Sequence, residues 1–326
     1  LSLRRQRQMC IRDRSSSLVS DPDTYHNIGN TLKKINDFTN AKINYKLALD
    51  LKETQIHTIV ELIQLKQNTC DWDDISELIR KLKVHVANHK VSQISPFAAL
   101  SMPDLNNKEH LAIANSWINS HNLDLENSKK ISTKGSDAKI TIAYMSADFR
   151  MHPLYYLIID ILKLHNLEKF EIKLLYSGKN DNSAEMKEFK SLKADFIDIS
   201  QLSDKMLCDK IIEEKVDILI DLSGFTMSSR SMIAAYKPAP ISINWLGFPG
   251  TMGYFDKEPL YDFLLSDDYI IPENQETFYA EQIIKLPNCY QPNIANRPQP
   301  KAMEKSHYGI DDTTFIFASF GQSVKI

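Results

Sequence analysis

The feature that most restricts the fold of this chain is a change of pattern near residue 139. Beyond it, short β-branched or aromatic runs alternate with helical segments. KITIAYMS, FEIKLLYS, ADFIDIS, VDILIDLSG, PISINWLG and FIFASF read as strands, and Leu154–Leu164, Ala184–Lys193, Asp204–Glu214 and Ser228–Tyr236 lie between them as helices. Such alternation implies a parallel sheet covered by helices, a Rossmann-like lobe expected over residues 140–312, with residues 313–326 opening a second unit. In open sheets of this kind ligands sit beyond the carboxyl ends of the strands, so the chemistry is sought just after each run.

Before the change, the periodicity is helical. From Tyr25 the chain reads YHNIGNTLKKINDFTNAKINYKLALDLK, with Ile28, Gly29, Leu32, Ala41, Tyr45 and Ala48 at the spacing of a tetratricopeptide repeat over residues 20–53. Small residues let two antiparallel helices approach while large ones fill the gap between them. Glu53 stands where a proline usually closes that unit, and one clear copy is present where an array needs about three, so further repeats before it are expected. Residues 54–126 continue with Ile59, Leu62, Ile63 and Leu65, then Ile75, Leu78, Ile79 and Leu82 at helical spacing. The polar stretch 127–139, NSKKISTKGSDAK, reads as a linker. The expected class is therefore α + α/β.

Composition removes several functions. Lys+Arg 39 against Asp+Glu 42 leaves a net charge of -3, with no basic surplus for nucleic acid. The longest apolar run, LYYLIIDIL, is far short of the ~20 residues of a membrane span, so no membrane partner is expected. Cys10, Cys70, Cys208 and Cys289 are scattered without metal-ligand spacing, which suits a reduced, cytoplasmic protein and predicts no metal site. Residues 1–14 have no apolar run after their basic start, and MCIRDR resembles a translated sequencing adapter; they are expected to be non-native or disordered.

Three strand ends carry the candidate chemistry. KITIAYMS is followed by ADFRMHPLYY, which places Asp148, His152 and Pro153 in a turn that opens a helix. VDILIDLSG is followed by FTMSSRS, with Gly224 at the turn, then Thr226 and Arg230. PISINWLG is followed by FPGTMGY, where Gly247, Gly250 and Gly253 would let a ligand approach the backbone. The chain has only nine glycines, so three within seven positions are informative. No G-x-G-x-x-G and no Walker A pattern occurs, which argues against a dinucleotide oxidoreductase or a P-loop NTPase.

Taken in order, KITIAYMSADFRMHP, DLSGFTMSSR, YKPAPISINWLGFPGTMGYFD and FIFASFGQSVKI resemble the O-GlcNAc transferase family and its bacterial relatives over residues 20–326, and CDWDD at Cys70–Asp74 fits the same order. The resemblance implies a GT-B glycosyltransferase whose first lobe is present here. It would move N-acetylglucosamine from UDP-GlcNAc, its donor substrate, to Ser/Thr hydroxyls of acceptor proteins recruited by the repeats, inverting the anomeric centre and needing no cofactor or metal. On that resemblance His152 matches the active-site histidine of the HP motif and Asp148 the carboxylate before it. Phe225 and Thr226 match an aromatic and a threonine near the cleft. Leu246, Gly247 and Pro249 match the loop that packs on the transferred sugar, and Gln322 and Lys325 match the nucleotide-contacting pair. A cation at Lys325, where a helix would begin after FIFASF, would stabilise charge on the departing diphosphate. The chain departs from the family pattern at Leu154, Phe225 and Val324. A transferase for another sugar such as fucose or glucose, or a repeat scaffold with a vestigial lobe, therefore stays open. The rest of the nucleotide site would lie beyond Ile326, so these residues alone are expected to be inactive.

Overall fold

The structure, a computed structural model, describes residues 21–88, 91–123, 138–295, 301, 303–318 and 320–321. Helices α1 (Pro22–Lys34) and α2 (Phe38–Leu51) form the hairpin expected of the repeat. Asp21 caps α1 by accepting from Thr24 N at 2.8 Å, and Pro22 fits the first turn, where no amide donor is needed. Gly29 is small because the Tyr45 ring lies against it: an added Cβ would come within 2.5 Å of that ring. Tyr45 is fully buried, and its hydroxyl donates to Asn30 Oδ1 at 2.7 Å.

Helices α3 (Ile56–Asn68), α4 (Ile75–Ala87), α5 (Pro96–Ala99) and α6 (Asn107–Ile118) extend the apolar core begun by α1 and α2. The CDWDD segment makes the turn between α3 and α4. Asp71 accepts from Lys66 at 2.8 Å and Lys42 at 2.7 Å, and these two hydrogen-bonded ammonium groups hold its carboxyl down at about 2. Lys66 is itself buried, so the pair satisfies a charge that burial would otherwise penalise.

The lobe is a seven-stranded sheet in the order β3-β2-β1-β4-β5-β8-β9, with every pairing parallel. Its strands are β1 (Ile140–Ser146), β2 (Phe170–Tyr176), β3 (Asp195–Asp198), β4 (Ile218–Asp221), β5 (Ile241–Asn244), β8 (Phe263–Ser266) and β9 (Gln282–Lys285). A two-stranded hairpin, β6 (Tyr254–Phe255) with β7 (Glu258–Pro259), interrupts the series. Helices α7 (Pro153–Leu164), α8 (Ala184–Ser191) and α9 (Asp204–Glu213) cross between strands. Burial on both faces makes β1 and β2 almost continuously apolar, as parallel strands require. One face packs on α7 and α8 through Ile158, Leu162 and Phe189, and the other on α9 through Leu207 and Ile211.

Three expectations are corrected. The helix expected over Ser228–Tyr236 is a single 3-10 segment, Ser231–Tyr236. Arg230 is pulled to Asp204 at 2.9 Å and Ser231 to Asp221 at 2.5 Å, and these bonds hold the segment's start out of a regular helix. FIFASF forms no strand among the described residues, and Phe315, Phe317 and Phe320 lie exposed. Strands β8 and β9, absent from the sequence reading, complete the sheet beyond β5. Of the stretch 127–139, only residues 138 and 139 are described, and residues 1–14 lie outside.

The helical region and the lobe meet at α6. Ile118 and Trp117 pack with Phe248, Met252, Leu260 and Tyr261. Asn115 Oδ1 accepts from Tyr254 N at 2.7 Å, and Asn119 Nδ2 donates to Tyr254 O at 2.8 Å. Gly253 leaves room for α6, since an added Cβ would fall 2.8 Å from Asn115 Oδ1. Among the described residues, no helix is long and apolar enough to cross a membrane.

Candidate functional site

The carboxyl ends of β1, β4 and β5 are neighbours in the sheet, so the three strand-end segments meet there. Ser146 Oγ lies 3.4 Å from Ser223 Oγ, joining the ends of β1 and β4. At β1 the chain turns through Asp148 to His152 before entering α7. Ser146 Oγ accepts from Asp148 N at 3.0 Å, while Asp181 and Ser183 of the next crossover each accept from Met151 N at 3.1 Å. The turn is thus fixed from both sides, and its acidic and imidazole side chains are held close together.

Asp148 Oδ1 accepts from Arg150 Nη2 at 2.8 Å, and Asp148 Oδ2 lies 3.8 Å from His152 Nε2. His152 is the N-cap of α7, and its Nδ1 accepts from Leu154 N at 3.2 Å. That bond requires a lone pair on Nδ1, so the ring proton of the neutral imidazole sits on Nε2, facing Asp148. Burial pushes the imidazole pKa down; Asp148 pulls it back up, and Arg150 opposes that pull. The positive end of α7 acts in the same direction as burial. His152 is therefore held as a neutral donor whose acceptor nitrogen is already occupied.

An open cleft of about 610 Å³ borders this turn, lined by Met151, His152, Pro153, Tyr156, Leu157, Asn293 and Ile294. The last two arrive on a strap after β9. Its path is set by Trp245 Nε1 donating to Tyr290 O at 3.0 Å, Ile294 N to Tyr156 O at 2.9 Å and Ala295 N to Asp160 at 3.1 Å. Nothing in the sequence reading pointed to Tyr156, Leu157 or the strap, because the strap belongs to neither periodic pattern.

At β4 the chain end is organised by Asp221, which is fully buried. Its Oδ1 accepts from Ser223 N at 2.8 Å and Gly224 N at 3.3 Å; its Oδ2 accepts from Ser231 Oγ at 2.5 Å and Tyr261 OH at 2.8 Å. Burial raises its pKa, and these donors oppose the rise. Gly224 has φ +56, and Phe225 stacks edge-on against Phe248 at 5.3 Å between ring centroids. Thr226 sits in the following tight turn, its N donating to Ser223 O at 3.4 Å.

At β5 the loop starts with Leu246 in the left-handed region, φ 69, although it is buried and branched. Gly247 N donates to Trp245 O at 3.0 Å across it, closing a three-residue turn of a strained kind. Two of the loop's glycines are closely packed on the side where a side chain would stand. An added Cβ at Gly247 would lie 2.5 Å from Leu222 O and 2.8 Å from Ser223 O, and one at Gly250 would lie 2.7 Å from the Phe248 ring. Protein atoms fill the space a side chain would need at both positions. His152 lines the cleft, whereas Asp148, Thr226, Leu246, Gly247 and Pro249 lie outside the lining of that cleft. Gln322 and Lys325 lie outside the described residues.

Comparison with known proteins places this geometry. The profile of glycosyl transferase family 41 matches residues 69–296. The chain belongs to that family. It is 28% identical over 284 residues to the probable UDP-N-acetylglucosamine--peptide N-acetylglucosaminyltransferase SEC of Arabidopsis thaliana, covering 81% of this chain and 29% of that protein. To the UDP-N-acetylglucosamine--peptide N-acetylglucosaminyltransferase of Caenorhabditis elegans it is 24% identical over 239 residues, covering 69% of this chain and 20% of that one. The chain thus spans less than a third of the length of these relatives. Among solved structures, a mutant of the Thermobaculum terrenum O-GlcNAc transferase shares the fold, with a TM-score of 0.61 and 19% identity over 89% of this chain and 55% of that chain. The expected membership of the O-GlcNAc transferase family and the helical-plus-parallel-sheet architecture both stand.

Proposed function

We propose that this chain supplies the helical approach and first catalytic lobe of an enzyme that transfers N-acetylglucosamine from UDP-GlcNAc to serine or threonine hydroxyls of proteins. The observation that carries the reading is the Asp148–Arg150–His152 cluster at the carboxyl end of β1, beside an open cleft, in a chain of family 41. That position is where an open parallel sheet presents its ligand.

In the proposed reaction the acceptor hydroxyl attacks the anomeric carbon in line as the diphosphate leaves, and the centre inverts. His152 donates from Nε2 and orients a substrate oxygen or a water; it is not the base, because Nδ1 is taken by the helix cap. Asp148 holds that orientation and is the nearest carboxylate able to take a proton through water. Lys325 and Gln322 are proposed to meet the diphosphate, with the lysine balancing the charge that builds there. The tetratricopeptide hairpin is proposed to guide acceptor proteins toward the cleft, and a cytoplasmic setting is proposed from the scattered free thiols at Cys70, Cys208 and Cys289.

The test uses the full-length protein with UDP-GlcNAc and, separately, other nucleotide sugars, reading modified serine or threonine peptides by mass spectrometry. Transfer from UDP-GlcNAc is expected to exceed the others at least tenfold. Equal or better transfer of fucose or glucose would replace the sugar; no transfer of any sugar would favour a scaffold.

A further inference from the structure

The glycine loop after β5 is anchored at its far end by a group that the reaction above does not use. Glu281, just before β9, is buried to 4% exposure and makes no ion pair among the described residues. Its Oε2 accepts from Thr251 Oγ1 at 2.9 Å, and its Oε1 accepts from Met252 N at 2.5 Å. Thr251 Oγ1 in turn accepts from Gly253 N and from Ala280 N, each at 3.1 Å. With both of its lone pairs engaged, the hydroxyl can only donate to Glu281. The hydrogen bonds therefore suit an ionised carboxylate, while burial without a cation favours the neutral acid. These opposing demands place the Glu281 carboxyl at about 7, raised chiefly by burial and lowered by its own backbone amide and then by the Met252, Thr251 and Ala280 contacts.

We propose that Glu281 is a positioning residue whose proton sets the conformation of the loop Leu246–Gly253: ionised, it locks the Thr251–Gly253 turn, and protonated, it releases it. A proton on Oε2 finds no acceptor at Thr251 unless the hydroxyl gives up Gly253 N or Ala280 N. The turn then opens by one hydrogen bond. The same turn seats Tyr254 against Asn115 of α6, so its release also reaches the contact between lobe and helical region. The titratable groups facing Glu281 are phenols. Tyr279 on its own segment is pushed up to about 12 by burial and by this carboxylate, and buried Tyr261, which lies between β7 and β8, is raised by burial and by Asp221, with Glu281 adding to the effect. Both stay neutral in the range where Glu281 titrates, so the switch has one titrating member.

That the loop serves sugar transfer rests on the function proposed above; the switch itself does not, and its first readout needs no turnover. Hydrogen exchange of the Gly253 and Ala280 amides is followed in the full-length protein from pH 6 to pH 8, with exchange corrected for its intrinsic pH dependence. Protection should fall about fivefold on acidification through about pH 7, the equivalent of one lost hydrogen bond. Glu281→Gln brings an amide donor into a site that needs only acceptors, so it should show the acid-form protection at every pH, with no step. Thr251→Val removes the hydroxyl in dispute and should also remove the step. In the active enzyme, the KM for nucleotide sugar should rise below about pH 7 in the wild type only. Flat wild-type protection across this range, or a Glu281→Gln variant that keeps the step, would overturn the proposal. Should Glu281→Gln fail to fold, the wild-type titration and Thr251→Val decide. A step in exchange without sugar transfer would leave the switch standing and remove the function.

Discussion

The helical region and the loops that follow β4 and β5 bury charge in opposite ways. In the helical region, buried Lys66 is matched by Asp71, which Lys42 also holds, so each charge has an ionic partner. Against those loops, Asp221 at the end of β4 and Glu281 just before β9 are buried against hydroxyls and amides, without a cation among the described residues. The first arrangement is what a region selected for stability needs; the second leaves carboxylates whose protonation and loop geometry respond to their surroundings. The strained Leu246 turn and the unpaired buried Asn244 Oδ1 fall in the same place.

Paired glycine substitutions test this contrast most severely. Gly247→Ala drives a Cβ into two backbone oxygens that cannot yield, so the Leu246 turn must move. Transfer by the full-length enzyme should fall more than about 100-fold, equivalent to about 2.7 kcal/mol, while circular dichroism keeps its native form. Gly29→Ala meets the buried Tyr45 ring and should cost about 2 kcal/mol of stability in the helical region, with kcat within about twofold. If Gly29→Ala also abolishes kcat, the two regions are not separable.

The ionic pair in the helical region offers a smaller effect. Lys66→Ala leaves Asp71 with Lys42 alone and opens space among buried residues, so urea unfolding should show a loss of about 2 kcal/mol. Lys66→Met fills that space with apolar atoms and should lose less than about 1 kcal/mol. Glutamate 281 should answer differently, because no cation is there to be left unpaired.

The smallest effect is in pH dependence. His26 is pushed down to about 4, chiefly by burial and then by neighbouring His57. Its unfolded form takes up a proton near the ordinary histidine value while the folded form does not, so the stability it contributes is present above that value and is lost as pH falls toward about 4. Because the ring is only half-buried, the loss should be about 1 kcal/mol after screening. Glu281 works in the other sense: its raised pKa makes the lobe lose stability as pH rises from the ordinary glutamate value to about 7. Thermal melts of His26→Asn and Glu281→Gln against wild type should therefore differ with slopes of opposite sign.

Much of the architecture was legible because periodicity changes so sharply near residue 139. The hairpin followed from Gly29, Ala41 and Tyr45, and β1, β2, β4 and β5 from their apolar runs. Strands β8 and β9 were missed because four-residue runs such as FLLS and QIIK sit among polar residues and give too few repeats of any period. The end of the helix expected at Ser228 depended on Arg230 reaching Asp204, a contact across 26 residues that local pattern does not carry. In the site, His152 and Asp148 were found from a motif, and their closeness followed from the short turn between β1 and α7. Glu281 gave no signal: an acid beside a tyrosine in FYAEQI looks like surface until the Thr251 turn folds over it.

In the proposed reaction the turn at the end of β1 is the transfer site, and His152 acts there as a fixed donor. Steady-state transfer by the full-length protein is the direct measurement, comparing His152→Ala with His152→Asn. Asparagine can cap α7 and still offer an N–H toward Asp148, so His152→Asn should stay within about tenfold of wild type while His152→Ala loses more than about 100-fold. Equal loss in both variants would make the imidazole the base, and full activity in His152→Ala would remove this turn from the reaction.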